Sequence, residues 1–357
     1  MPRMVSIDTI LLFFPVISFP IRGARHAARA DSGRYCSSVS RRRLGGRSYR
    51  HCGALYGPAG PVRVRIPQKR PEGPKGIAVE RCDAGLPERL ILFRRNNEEE
   101  NEADALNNIG VIHKLQGRYG KAMEFYEKSL EIKKRLGDRA GMATTYTGIG
   151  NLHDRQGLYD RAMEFYEKSL AIQKRLGNRT GMADTLGNLG NTHSKRGRYA
   201  RAMEFFDKSL TIQKHLGDRV GMATTYTGIA IIHKSQGRHA RALEFFDKSL
   251  AIKKRLGNRA GMADTLGIMG NIHSKRGRYG KAMVFYEKSF AIRKRLGDRM
   301  GAAFSSANMG LMAEKQGRLD LAIRYMEEAR DILLSIGSPM VKKIESQLRN
   351  LHHKARQ

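Results

Sequence analysis

The chain has 357 residues, with 66 Lys and Arg against 34 Asp and Glu, a net charge of +32, 38 glycines and no tryptophan. The length fits two ordinary domains or one extended repeat array, and the glycine-rich, tryptophan-free composition favours many short helices over a single large core. Positive charge of this size concentrates acidic peptides, nucleic acid or anionic lipid around the protein and disfavours basic partners.

The first segment, residues 1–96, reads as basic and largely disordered. Residues 1–95 carry a net charge of +13 and the remainder +19, so the first segment is the more densely charged. Its apolar run, Ile10–Ile21, is twelve residues long and interrupted by Pro15 and Pro20. That is shorter than the roughly 17–25 residues a membrane-spanning helix needs. Arg22, Arg25 and Arg29 crowd the place where an export signal carries small neutral residues, so the expectation is a cytoplasmic protein without a membrane span. Residues 22–88 combine an arginine cluster, Arg41–Arg43, with Pro58, Pro61, Pro67, Pro71 and Pro74, and show no apolar periodicity. Cys36, Cys52 and Cys82 match no metal or redox spacing, and an odd number cannot close a complete disulfide framework. Arg89–Arg95 aligns one period upstream of Ser129–Arg135 and reads as the end of a degenerate helix.

From residue 97 to 337 the sequence repeats every 40 residues, six times. Gly117, Gly157, Gly197, Gly237, Gly277 and Gly317 form one column, and Ala122, Ala162, Ala202, Ala242, Ala282 and Ala322 another. A fixed period of this length means stacked supersecondary units. Each unit resolves into two helices, here called A and B. Asp138, Asn178, Asp218, Asn258, Asp298 and Ser338 stand where a side chain can accept from the free N–H groups of a helix start. Tyr146, Ile149, Leu152 and His153 then define the buried stripe of helix A, and Gly157 ends it. Helix B buries Ala162, Phe165, Tyr166, Ser169, Leu170 and Ile172, and closes with Lys174 and Arg175 at the negative end of its dipole.

Residues 338–357 read as a capping helix. Ser338-Pro339 supplies a cap followed by proline at the first helical position. Val341, Ile344, Leu348 and Leu351 form one apolar stripe, with Lys342, Lys343, Arg349 and Lys354 on the polar side. An open stack needs such a solvating end, because its last repeat has no neighbour.

The columns Gly150, His153, Gly157, Tyr159, Ala162, Tyr166 and Ser169 resemble the small/aromatic pattern of tetratricopeptide repeats, with His where Tyr is usual and without the closing proline. The 40-residue unit and the phrase Gly187-Asn188-Leu189-Gly190-Asn191 are similar to the Leu-Gly-Asn repeat scaffolds that orient mitotic spindles, although the G-protein-binding motifs of those scaffolds are missing after the repeats. The resemblance implies an all-α fold, a right-handed α-solenoid of six helix-turn-helix repeats with a C-terminal capping helix. It also implies that the A helices line a concave face that binds another protein.

On that face the candidate peptide-binding residues are Asn108, Asn151, Asn188, Asn191, Asn271 and Asn308, with Lys114, Arg155, Lys195, Lys275 and Lys315 near the ends of the same helices. An Asn side chain offers a donor and an acceptor, so it can pair with the backbone of an extended peptide of any sequence. The basic residues add a preference for acidic side chains or a free carboxyl terminus. The expected function is therefore a protein-interaction scaffold holding an extended or short helical acidic segment in the groove. The alternative is a polyanion or nucleic-acid binder acting through clusters such as Lys133-Lys134-Arg135 and Arg293-Lys294-Arg295, with nucleic acid the weaker candidate because the A face carries almost no base-stacking aromatics.

The histidine column, His113, His153, His193, His233 and His273, cannot converge on one metal ion. Packed helices stand about 8–10 Å apart, whereas ligands sit about 2.0–2.1 Å from a shared zinc. The rings are expected in the core. The sequence holds no nucleophile elbow, phosphate loop or HExxH pattern, so neither an enzymatic activity nor a cofactor is expected.

Overall fold

The structure, a computed structural model, describes residues 86–357. The disorder expected over residues 22–88 and the three cysteines lie outside the described residues, apart from the last three positions of that span, which are helical. Helix α1, Leu86–Arg95, is longer than the sequence indicated, and its buried Leu90 packs with Ala105, Leu106 and Ile109.

The repeats follow as A/B pairs: α2 (Glu99–Leu115) with α3 (Tyr119–Arg135), α4 (Arg139–Arg155) with α5 (Tyr159–Arg175), and α6 (Arg179–Lys195) with α7 (Tyr199–Leu216). The second half continues with α8 (Arg219–Ser235) and α9 (His239–Arg255), α10 (Arg259–Lys275) and α11 (Tyr279–Leu296), and α12 (Arg299–Lys315) and α13 (Leu319–Leu334). Helix α14, Val341–Ala355, closes the stack. The described residues form an α-solenoid with a C-terminal helix.

The turns carry the chemistry expected of them. Asp138, Asn178, Asp218, Asn258 and Asp298 each accept from the backbone N–H three residues on, at 2.8–3.1 Å. Gly157, at φ 77°, adopts the left-handed conformation that an L side chain resists, and this lets α4 stop and α5 start within three residues. Ser338 departs from the expected pattern. The α-helix begins at Val341, and Ser338 Oγ accepts only weakly, at 3.4 Å, from Met340 N–H. Val341 N–H bonds the Ser338 carbonyl, so Pro339 and Met340 form a tight turn ahead of the helix.

Within a repeat the two helices are stapled by a serine. Ser129, Ser169, Ser209, Ser249 and Ser289 each donate to a backbone carbonyl of helix A, Ala103, Ala143, Ala183, Ala223 and Ala263 respectively, at 2.7–2.8 Å. Between repeats, helix B packs on the next helix A. Ala122, Tyr126 and Leu130 of α3 share one core cluster with Ile149 and Leu152 of α4. Of the histidines expected in the core, His153 and His273 are buried, while His113, His193 and His233 are half-buried. Each of the five stacks on the phenylalanine twelve residues later, Phe125, Phe165, Phe205, Phe245 or Phe285, with centroids 5.1–5.5 Å apart. Lys168 and Lys248 lie over two of these rings, at 4.8 and 4.7 Å.

Candidate functional site

Helix A of one repeat touches helix A of the next, α2 with α4, α4 with α6 and α6 with α8, and no B–B pair makes a comparable contact. The side on which helices crowd is the inner side of a curved stack, so the A helices line the hollow face. The outward positions of those helices recur with the 40-residue period, and each contributes to one continuous surface.

The structure places the candidate residues on that surface with different degrees of freedom. Asn108 on α2 is exposed, while Asn151 on α4, Asn188 and Asn191 on α6, Asn271 on α10 and Asn308 on α12 are half-buried. Two of them do not offer the donor-plus-acceptor pair expected from the sequence. The Tyr166 hydroxyl donates to Asn151 Oδ1 at 2.8 Å, and the Tyr286 hydroxyl to Asn271 Oδ1 at 2.6 Å. Each of these asparagines therefore presents only its amide N–H groups to a ligand. At Asn191 the facing ring is Phe206, which has no hydroxyl, so both polar atoms stay available. Burial pushes the Tyr166 hydroxyl well above its ordinary pKa, with the nearby Asp154 carboxylate reinforcing the shift, so it remains a donor.

The basic residues also divide. Arg155, Lys195, Lys275 and Lys315 are exposed, but Lys195 is ion-paired with Asp154 of the preceding repeat, and its charge is matched within the chain. The same Asp154 carboxylate accepts from the Thr192 hydroxyl at 3.0 Å. Lys114 occupies the Asp154 position one repeat earlier. It is half-buried, and burial, with Arg155 alongside, lowers its ammonium to about 8. The sequence reading missed Lys234, the fourth member of this column, whose ammonium is lowered by burial and then by Lys275. Counting 40 residues strictly from Lys114 gives Asp154, Ser194 and Lys234, a signal hidden when Lys114 is grouped with the neighbouring column of Arg155 and Lys195.

A second polar seam enters the face from helix B. Lys133 reaches Asp104 at 2.9 Å, and Arg293 reaches Asp264 at 2.6 Å and Asp298 at 3.0 Å. At the equivalent site in repeat four, Lys253 donates to the Thr227 and Thr265 hydroxyls, and burial lowers its ammonium to about 8.

Among the described residues no helix is long and apolar enough to cross a membrane. The tetratricopeptide repeat family model matches residues 101–175, 181–255 and 261–335, each match spanning two 40-residue units. Aspartyl phosphate phosphatase F from Bacillus subtilis shares the architecture at 16% identity with a TM-score of 0.54, over 71% of this chain and 70% of that one. The apo form of RapI does so at 15% identity and 0.53, over 71% and 99%. The Cut9–Hcn1 hetero-tetramer of the APC/C matches at 15% and 0.53, over 74% and 45%. At these identities the likeness concerns the fold alone. No curated protein sequence matches the chain.

Proposed function

The chain belongs to the tetratricopeptide repeat family, and from that premise we propose that it is an interaction scaffold whose A-helix face holds an acidic peptide segment of another protein. The observation that carries this reading is the make-up of the face. Half-buried asparagines with open amide groups stand on four of the six A helices, and on three of these the neighbouring cation, Arg155, Lys275 or Lys315, has no acidic partner among the described residues. Amide donors suit peptide carbonyls and carboxylates, and a partly buried ammonium gains most when an anion arrives. Residues 97–337 act in this reading as the binding body and residues 338–357 as its cap. Isothermal titration with an acidic peptide library tests it. Tight binders should weaken about tenfold in the Asn191→Ala chain, and a library with no binders contradicts it.

A second reading rests on the ends of the B helices. Lys134, Lys174, Arg175, Lys214, Lys254, Arg255 and Arg295 are exposed and make no ion pair among the described residues, whereas Arg135 pairs with Glu99. This row favours a sequence-independent polyanion. Binding of mixed-sequence DNA with a steep salt slope, unchanged by Asn191→Ala, would select it over the groove.

A further inference from the structure

Each A-helix junction brings one position of a repeat against one position of the next, 41 residues on. In repeats two and three these are Asp154 and Lys195, an ion pair. In repeats one and two they are Lys114 and Arg155, and in repeats four and five Lys234 and Lys275. At the first of these junctions the chain supplies its own carboxylate, seated against a cation and the Thr192 hydroxyl. At the other two it puts a lysine in the carboxylate's place, so two cations come within electrostatic reach of each other.

The two like-charge junctions are copies of one another. Lys114, Arg155 and Asn151 recur as Lys234, Lys275 and Asn271, three repeats further along, and both asparagines have their carbonyl oxygen held by a tyrosine hydroxyl. Asn151 with Arg155, and Asn271 with Lys275, are four apart on one helix and share a face. The second cluster therefore presents donors and positive charge, and at the first the nearby Asp154 carboxylate is already engaged by Lys195 and Thr192. None of the four cations forms an ion pair or hydrogen bond within the described residues. Like charges side by side in a partly buried setting are unfavourable until an anion bridges them.

We infer that these clusters are twin carboxylate subsites, which bind a single peptide carrying two acidic groups spaced three repeats apart. The inference rests on the groove reading above and names its anchors. A helices that touch advance about 10 Å per repeat, so the subsites stand about 30 Å apart, or about nine residues of extended chain. The Asp154–Lys195 pair between them is neutral and lets uncharged peptide pass.

Fluorescence anisotropy on the full chain tests this with two labelled Gly/Ser peptides, one bearing a glutamate pair at each end about nine residues apart, the other at one end only. The two-ended peptide should bind at least about tenfold more tightly. Lys114→Gln and Lys234→Gln should each remove that advantage, while Lys254→Gln, on the outer row, should leave it intact. Both groove variants should melt no lower than the wild type, since each relieves a like-charge contact. Equal binding of the two peptides, together with loss of binding in Asn191→Ala, would overturn the twin subsites and leave the groove standing. Undiminished binding in the Lys114→Gln plus Lys234→Gln chain would also overturn them. If neither peptide binds the wild type, the groove reading falls as well.

Discussion

The histidine column and the groove columns lie within one turn of each other on the same A helices, yet they repeat differently. His113, His153, His193, His233 and His273 all stack on a phenylalanine in one geometry. The position next to this column runs Lys114, Asp154, Ser194, Lys234, Ser274, Glu314 and takes a new identity at almost every step. A packed position faces the same space in the first five repeats and keeps one solution there, whereas in the sixth, whose core includes the cap helix, Ala313 takes its place. An outward position has no such constraint, so its chemistry is open to whatever the surface meets. Glu314 makes the same point at the end of the stack, where it pairs at 2.6 Å with Lys354 of the cap helix.

The contrast can be broken most forcefully at the packed side. Leu152 is fully buried between α4 and its neighbours, so Leu152→Ala should cost about 3 kcal/mol in urea unfolding. The adjacent Asn151→Ala should cost about 1 kcal/mol, the worth of its tyrosine bond. Equal losses at the two positions would erase the distinction between packing and groove. Gly150→Ala should cost about 2 kcal/mol, because a Cβ there would lie 2.6 Å from a Tyr166 ring that is fixed by burial and by Asn151.

Acid comes next. Burial lowers His153, His193, His233 and His273 below their ordinary value, with nearby arginines reinforcing the shift at His193 and His233. The folded state then binds fewer protons than the unfolded one. Stability should be intact above about pH 6.5 and decline as pH falls through that value. Thermal melts across this range check it, and His153→Phe should flatten the decline.

In the groove the sign is the same and the window lies higher. Lys114 has a folded value of about 8 against 10.5 when unfolded, so its charge burdens the fold below pH 8, and the burden lifts as pH rises from 8 to 10.5. The wild type should gain stability over that interval relative to Lys114→Gln. The smallest effect is expected at Asn191→Ala, within about 0.5 kcal/mol of wild-type stability, since its side chain has no partner to lose.

Much of the architecture was legible because it depends on period. The cap residues, the Gly157 turn, the serine face of helix B and the stacked histidines each follow from a column and a helical spacing. The finer state of the groove depends on contacts between repeats and was not legible. Asn151 and Asn191 look equivalent in sequence, yet Tyr166 occupies one and Phe206 leaves the other open. Lys195 looks like Lys275, but only Lys195 meets an aspartate, 41 residues earlier. Ser338 has the composition of a cap, whereas the Pro339–Met340 turn delays the helix by two residues.

The claim that the A-helix face takes the ligand is most directly tested by site-specific cross-linking. With Cys36, Cys52 and Cys82 replaced by serine, Asn191→Cys or Arg175→Cys would carry a maleimide photo-cross-linker. An acidic two-ended peptide should cross-link at position 191 and not at 175. Cross-linking at 175 with none at 191 would move binding to the outer basic row and contradict the account.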